Sequence, residues 1–150
     1  MQSPSPILLD SSVLVKWYAT EEDDTEMALR LRERHLHNQI ELRLADVSFY
    51  EFANALYYVG KYSTAEIIAS VQTVLAMELR VYQFDLLALR AALDLCNAKQ
   101  IAIYDAYLVA LAKRENLILV TADTKLLRKL GANEPAIALR QFAGTLTDEE

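Results

Sequence analysis

The sequence predicts a three-layer α/β/α domain in which a central parallel sheet of four to five short strands carries helices on both faces. Three observations lead there. Short apolar runs recur along the chain and stop abruptly at polar residues. Helix-like segments fill the intervals between them, the alternation that builds parallel sheets. Finally, 53% of the 150 residues are hydrophobic, enough for a sizeable core in one compact unit.

The first strand is ILLD at 7–10, followed by helical patterns at 12–19 and 25–37. ELRLAD at 41–46 is the second strand, and helices follow at 49–61 and 64–79. RVYQF at 80–84 is the third, leading to a helix at 86–99. A helix at 105–115 precedes LILVTAD at 117–123, the fourth strand, and TKLLRKL at 124–130 is helical again. AIAL at 136–139 is a fifth strand. No internal repeat or linker breaks this order. The expectation is a single domain over 1–150 with its core at about 7–140, a polar leader, MQSPSP, and an acidic tail, LTDEE.

Several function classes fall away at once. The longest apolar runs, such as AYLVALA, have about seven residues where a membrane span needs ~20. MQSPSP lacks the basic-then-apolar order of a signal peptide. A lone cysteine, Cys96, allows no disulfide framework and no CxxC metal site, and reads as a core thiol. These features point to a cytoplasmic protein. Gly60, Gly131 and Gly144 are the only glycines and are far apart, which excludes a GxGxxG fingerprint and a P-loop. The formal charge of −6 argues against a general nucleic-acid coat, though not against an enzyme with one basic groove.

The acids carry the chemistry. In IAIYDAYLVALA (101–112), Asp105 falls with Ala102, Leu108, Val109 and Ala112 on one helical face that should meet a core. An unpaired carboxylate there is costly or takes up a proton. Asp10 and Asp123 close strands, and Glu51 and Asp105 lie early in helices. Each has a plain structural role open to it. Asp10 and Asp123 can cap the helices that follow them, Ser48 and Glu51 have capping-box spacing, and Asp105 can sit in a first turn against the helix dipole. Taken together these roles explain less. In open parallel sheets ligands bind beyond the carboxyl ends of the strands, and acids gathered there repel unless a cation neutralises them. Mg2+ and Mn2+ suit such all-oxygen sites.

DSSVLVKWY (10–18), YEFANALYY (50–58), YDAYLVALA (104–112) and VTADTKL (120–126) resemble, in order and spacing, the four signatures of PIN-domain ribonucleases, in particular the VapC-type toxins of toxin–antitoxin pairs. The resemblance runs from Ile7 to about Leu139. It implies a PIN-like fold and places the family's acidic quartet on Asp10, Glu51, Asp105 and Asp123, with supporting positions at Ser12, Asn54 and Thr121. It further implies dependence on Mg2+ or Mn2+, cleavage of RNA, a homodimer and a small antitoxin protein as partner. The expected reaction is metal-dependent hydrolysis of RNA phosphodiester bonds. The alternative is a PIN-like module that binds RNA or protein without cutting.

Two other acid-bearing folds fit less well. A phosphoacceptor receiver domain wants an acidic pair near its first strand, and Asp10 stands without one. A haloacid-dehalogenase phosphatase wants an aspartate where this chain has Ser12. Of the remaining features, His35 and His37 read as solvated members of a charged helix, and Trp17 as core or interface. Lys16 is a candidate for a phosphate. Lys113 with Arg114, and Lys125, Arg128 and Lys129, read as solvated faces that would otherwise flank an RNA groove. Tyr50, Tyr57, Tyr58 and Tyr62 suit a dimer or antitoxin surface or the edge of the core.

Overall fold

The computed structural model describes residues 5–19 and 23–146, so most of the expected leader and tail lie outside the described residues. Strands β1 (Pro6–Leu9), β2 (Glu41–Ala45), β3 (Arg80–Tyr82), β4 (Leu119–Thr121) and β5 (Ala136–Ala138) pair in parallel throughout, in the order β3-β2-β1-β4-β5. Around them lie α1 (Ser11–Val15), α2 (Thr25–Leu36), α3 (Val47–Val59), α4 (Thr64–Ala76), α5 (Leu86–Lys99), α6 (Ile103–Arg114), α7 (Thr124–Leu130) and α8 (Leu139–Ala143).

Because a parallel sheet is covered on both faces, its strands are apolar on both. In β1, Ile7 and Leu9 enter one core and Leu8 the other. The first core joins Leu42, Leu44 and Val120 to α1, α2, α3, α4 and α8. The second joins Ala45 and Leu119 to α5, α6 and α7. All five expected strands form, β1 beginning one residue earlier than expected at Pro6. Leu139, expected to end the fifth strand, instead begins the short α8 and is buried.

Helix α6 differs from the one-faced expectation. Every residue from Ala106 to Ala112 is buried, while Ala102 is exposed and caps the helix. A helix apolar all round belongs in an interior, and α6 shares the second core with α5 and β4. The capping box also sits elsewhere. The α3 N-cap is Asp46, whose carboxylate accepts from Val47 N (2.8 Å) and, from the loop after β3, Phe84 N (3.1 Å). The reciprocal box belongs to Ser63 and Glu66 at the start of α4.

His35 is not simply solvated. Its Nδ1 accepts from Leu42 N (3.1 Å), so Nε2 carries the proton and donates to Met77 O (3.1 Å), tying α2 to β2 and to the end of α4. His37 is exposed. Trp17 is buried and donates to Ala28 O (2.8 Å), as a core residue should. Cys96 is a free, partly buried thiol packed against the second core.

The strand order fixes where a site can form. From β1 the chain proceeds outward through β2 and β3 on one side, and β4 and β5 lie on the other. The crevice at the carboxyl ends of β1 and β4 is therefore the point where the order reverses. Asp10 stands at one lip, and Thr121 and Asp123 at the other.

Candidate active site

At the reversal point the two central strands are joined by side chains as well as by the sheet. Asp10 N donates to Val120 O (3.0 Å), which carries the ladder to the end of β1. Beyond it, Ser12 Oγ and Thr121 Oγ1 each donate to the same oxygen of Asp10, Oδ2, at 2.7 Å. Each hydroxyl also accepts a backbone N–H, Ser12 from Ala122 (3.0 Å) and Thr121 from Asp123 (3.1 Å). A hydroxyl has one proton to give, so the 3.3 Å approach between Ser12 and Thr121 is a contact and not a further hydrogen bond. Asp10 and Thr121 are only 4% and 0% exposed. The acid is thus held from below by two hydroxyls that need it as an acceptor.

Asp10 occupies the N-cap position of α1, but its side chain makes no capping bond there. Burial pushes its carboxyl above the ordinary range, with a smaller push from Asp123. Hydrogen bonds from Ser12 and Thr121, with the nearby Ser11 backbone, pull it back only in part.

Glu51 reaches this edge from α3, on the first-core side of the sheet, and Asp105 from α6 on the other. Since Asp46 caps α3, Glu51 has no capping task. Its Oε1 is buried without a hydrogen-bond partner, as is Ser48 Oγ, the other half of the expected box. Burial raises the Glu51 pKa to about 7, helped by the charges of Asp10 and Asp105. Asp105, in the first turn of α6, is raised to about 6 by burial and by Asp10 and Asp123, against a smaller opposing pull from Lys129. Asp123 does keep its structural role: Oδ1 caps α7 by accepting from Lys125 N (3.0 Å) and Leu126 N (3.1 Å). Asn54 lies one turn beyond Glu51, exposed, in a groove of about 520 Å³ also lined by Ser11, Val47, Tyr50 and Tyr104.

The four acids therefore sense one another across both layers of helices. Among the described residues, however, no three metal-ligating side chains already surround a common point. The donor set still suits a hard divalent cation. It is all oxygen, it includes an orphaned buried carboxylate oxygen at Glu51, and its mutual repulsion is what a cation would relieve.

The basic residues divide. Lys16 is buried, and its ammonium donates to Asp23 O. Arg114 pairs with Asp85 and Lys113 with Glu134 (3.7 Å), at the far end of α6 from Asp105. Lys129 of α7 is near enough to Asp105 to lower its proton affinity. Sequence reasoning passed over Tyr104, which lines the groove directly before Asp105. Its position beside an acid in an apolar segment was the available signal.

The PIN domain family model matches residues 7–132. A search of curated proteins finds no match. Among solved structures, PAE2754 from Pyrobaculum aerophilum is similar with a TM-score of 0.68 and 23% identity, covering 96% of this chain and 92% of that one. VapC20 from Mycobacterium tuberculosis, described as a Sarcin-Ricin loop cleaving toxin, gives 0.65 at 14% identity over 80% of this chain and 92% of that one. VapBC2 from Rickettsia felis, bound to a DNA fragment from its promoter, gives 0.63 at 19% identity over 89% and 98%. At these identities the solved structures speak for the fold. The family match spans the chain from β1 to just beyond α7 and takes in all four acids, and with it the chain belongs to the PIN-domain family.

Proposed function

We propose that this protein is a metal-dependent endoribonuclease that hydrolyses RNA phosphodiester bonds using Mg2+ or Mn2+, with Asp10, Glu51, Asp105 and Asp123 as ligands, directly or through water. The observation that carries the reading is the set of carboxylates at the reversal point, two of them raised to about 7 and about 6. A structural protein gains nothing from such repulsion. A divalent ion, when bound, neutralises the scissile phosphate and makes a hydroxide available near neutral pH.

The chain's own residues have separable tasks. Ser12 and Thr121 orient Asp10 at the sheet end and favour its charged form. Glu51 and Asp105 close on it from opposite layers, and Asp123 holds the start of α7 while turning its charge to the cleft. No histidine takes part: His35 is committed to the fold and His37 lies on the exposed end of α2. The test is cleavage of a labelled RNA with EDTA, Mg2+ or Mn2+. Cleavage that persists in EDTA, or that is absent with both metals, would overturn the proposal.

The physiological role we propose is the toxin of a toxin–antitoxin pair, acting as a homodimer restrained by a small antitoxin protein. The likeness to VapC20, a Sarcin-Ricin loop cleaving toxin, supports this reading. So do the exposed Tyr50, Tyr57 and Tyr58 of α3 and the exposed Ile68 and Leu75 of α4, residue types of the kind found at interfaces. Tyr62 is only partly buried, and its hydroxyl donates to Tyr18 O. Light scattering tests the dimer, and growth arrest on expression, relieved by a co-expressed antitoxin, tests the role.

A further inference from the structure

Next to the acidic groove is a smaller apolar slot of about 190 Å³, lined by Asp46, Val47, Phe84, Leu89, Tyr104 and Tyr107 among others. It shares Val47 and Tyr104 with the groove that holds Glu51, and Tyr104 directly precedes Asp105. The two pockets therefore adjoin across Val47 and Tyr104. Its volume is below the roughly 300–1,000 Å³ of a site enclosing a whole small molecule, so it suits one part of a longer ligand.

The walls are aromatic and held in place. Phe84 and Tyr107 lie nearly parallel, 3° apart with centroids 6.4 Å apart. The Phe84 backbone is fixed by its N–H to Asp46, and the Tyr107 hydroxyl accepts from Asp85 N (2.9 Å). Phe84 is nonetheless 62% exposed and Tyr104 55%. Exposed rings, here Phe84 backed by the buried Tyr107, form platforms on which bases stack. Asp46 adds a carboxylate at the wall. Each of its oxygens already accepts one backbone N–H and has a lone pair left for the N–H edge of a heterocycle.

We propose that this slot seats one unpaired base of the RNA, next to the bond that is cut. The proposal rests on the nuclease reading above and adds to it a seat for one base beside the acids. The phosphate lies at the acids, the base against Phe84, Tyr104 and Tyr107.

The experiment is a two-by-two comparison with the full chain and Mn2+. Wild type and Phe84→Ala are assayed on an RNA oligonucleotide and on versions with a single abasic site at each position around the cut. An oligomer of the same length that is abasic at every position, a chain of diesters without bases, serves as control. Because Phe84 is exposed and its N–H bond is made by the backbone, Phe84→Ala should fold as wild type does, and Phe84→Trp should retain the platform. Phe84→Ala should lose roughly 5- to 150-fold in kcat/KM on RNA, the range expected for one base–aromatic stack. It should be unchanged on the control, and Phe84→Trp should stay near wild type. At one abasic position, and no other, wild type and Phe84→Ala should become equal. If wild type cleaves neither substrate, the nuclease reading fails and takes the base seat with it. If wild type cleaves RNA and Phe84→Ala is equal to it, or no abasic position removes the difference, the base seat is wrong and the slot belongs to another occupant, such as a partner protein.

Discussion

Replacing Glu51 with glutamine separates a carboxylate kept for a cation from one kept for the fold. The free acid is strained by its surroundings: burial first, then Asp10 and Asp105, raise its pKa from 4.5 to about 7. An acid whose folded pKa exceeds its unfolded value holds more protons when folded. Its contribution to stability is then favourable at low pH and is lost as pH rises from about 4.5 through about 7. At ~1.4 kcal/mol per unit the full interval corresponds to roughly 3 kcal/mol. Glu51 is only about half-buried, and solvent screening brings the working figure to about 1–2 kcal/mol. In chelator, wild type should therefore melt lower at pH 8 than at pH 5, by roughly 2–8 °C from this residue alone. Glu51→Gln should remove that part of the slope and melt higher than wild type at pH 8, since no hydrogen bond to Oε1 is lost. Millimolar Mn2+ should raise the wild-type Tm at pH 8 by mass action and raise the variant's much less. Thermal melts at two pH values, with and without Mn2+, read all of this. A Glu51→Gln protein less stable than wild type at both pH values, with the Mn2+ response intact, would refute the reasoning.

Other perturbations test neighbouring claims. Thr121→Val removes a donor from Asp10 and leaves Asp123 N–H without its acceptor. It should cost about 1–3 kcal/mol in urea unfolding and move the pH–rate profile of RNA cleavage upward, because Asp10 loses one of the bonds that favour its charge. Asp123→Asn keeps a side-chain oxygen for the α7 cap and should fold within about 0.5 kcal/mol of wild type, while Asp123→Ala should lose about 1 kcal/mol in the same assay; cleavage should fall sharply in both. His35→Ala should cost about 1–2 kcal/mol for its two hydrogen bonds and leave metal-dependent cleavage of the folded protein unchanged, the reverse of what a metal ligand would do.

The sheet was legible because its strands carry their own signal. β1 and β4 are short apolar runs closed by a polar residue, and a two-sided parallel sheet demands such runs. Residues outside that pattern were read less well. The spacing puts Ala102 on the apolar face of α6, yet a helix buried all round from Ala106 to Ala112 has no polar face there to set a period. His35 looked like part of a charged surface because its partners, Leu42 N and Met77 O, are backbone groups brought in by β2 and the end of α4. Backbone partners leave no trace in a side-chain pattern.

The acids show the same division at finer scale. Glu51 lies three residues after Ser48, the capping-box spacing, and the same spacing recurs at Ser63 and Glu66, where the box does form. What separates them is Asp46, two residues before Ser48. Its carboxylate starts α3 early and at the same time fastens the loop after β3 through Phe84 N. That single displacement leaves Glu51 with a buried, unpartnered oxygen in place of a cap. At the other lip, Asp123 is both a cap and a neighbour whose charge raises Asp105 and Asp10. Capping and site-building are therefore compatible uses of one carboxylate when it has two oxygens and a helix starts at the sheet edge. The plain reading was right for Asp123 and wrong for Glu51, and only the position of a third acid, Asp46, distinguishes the two.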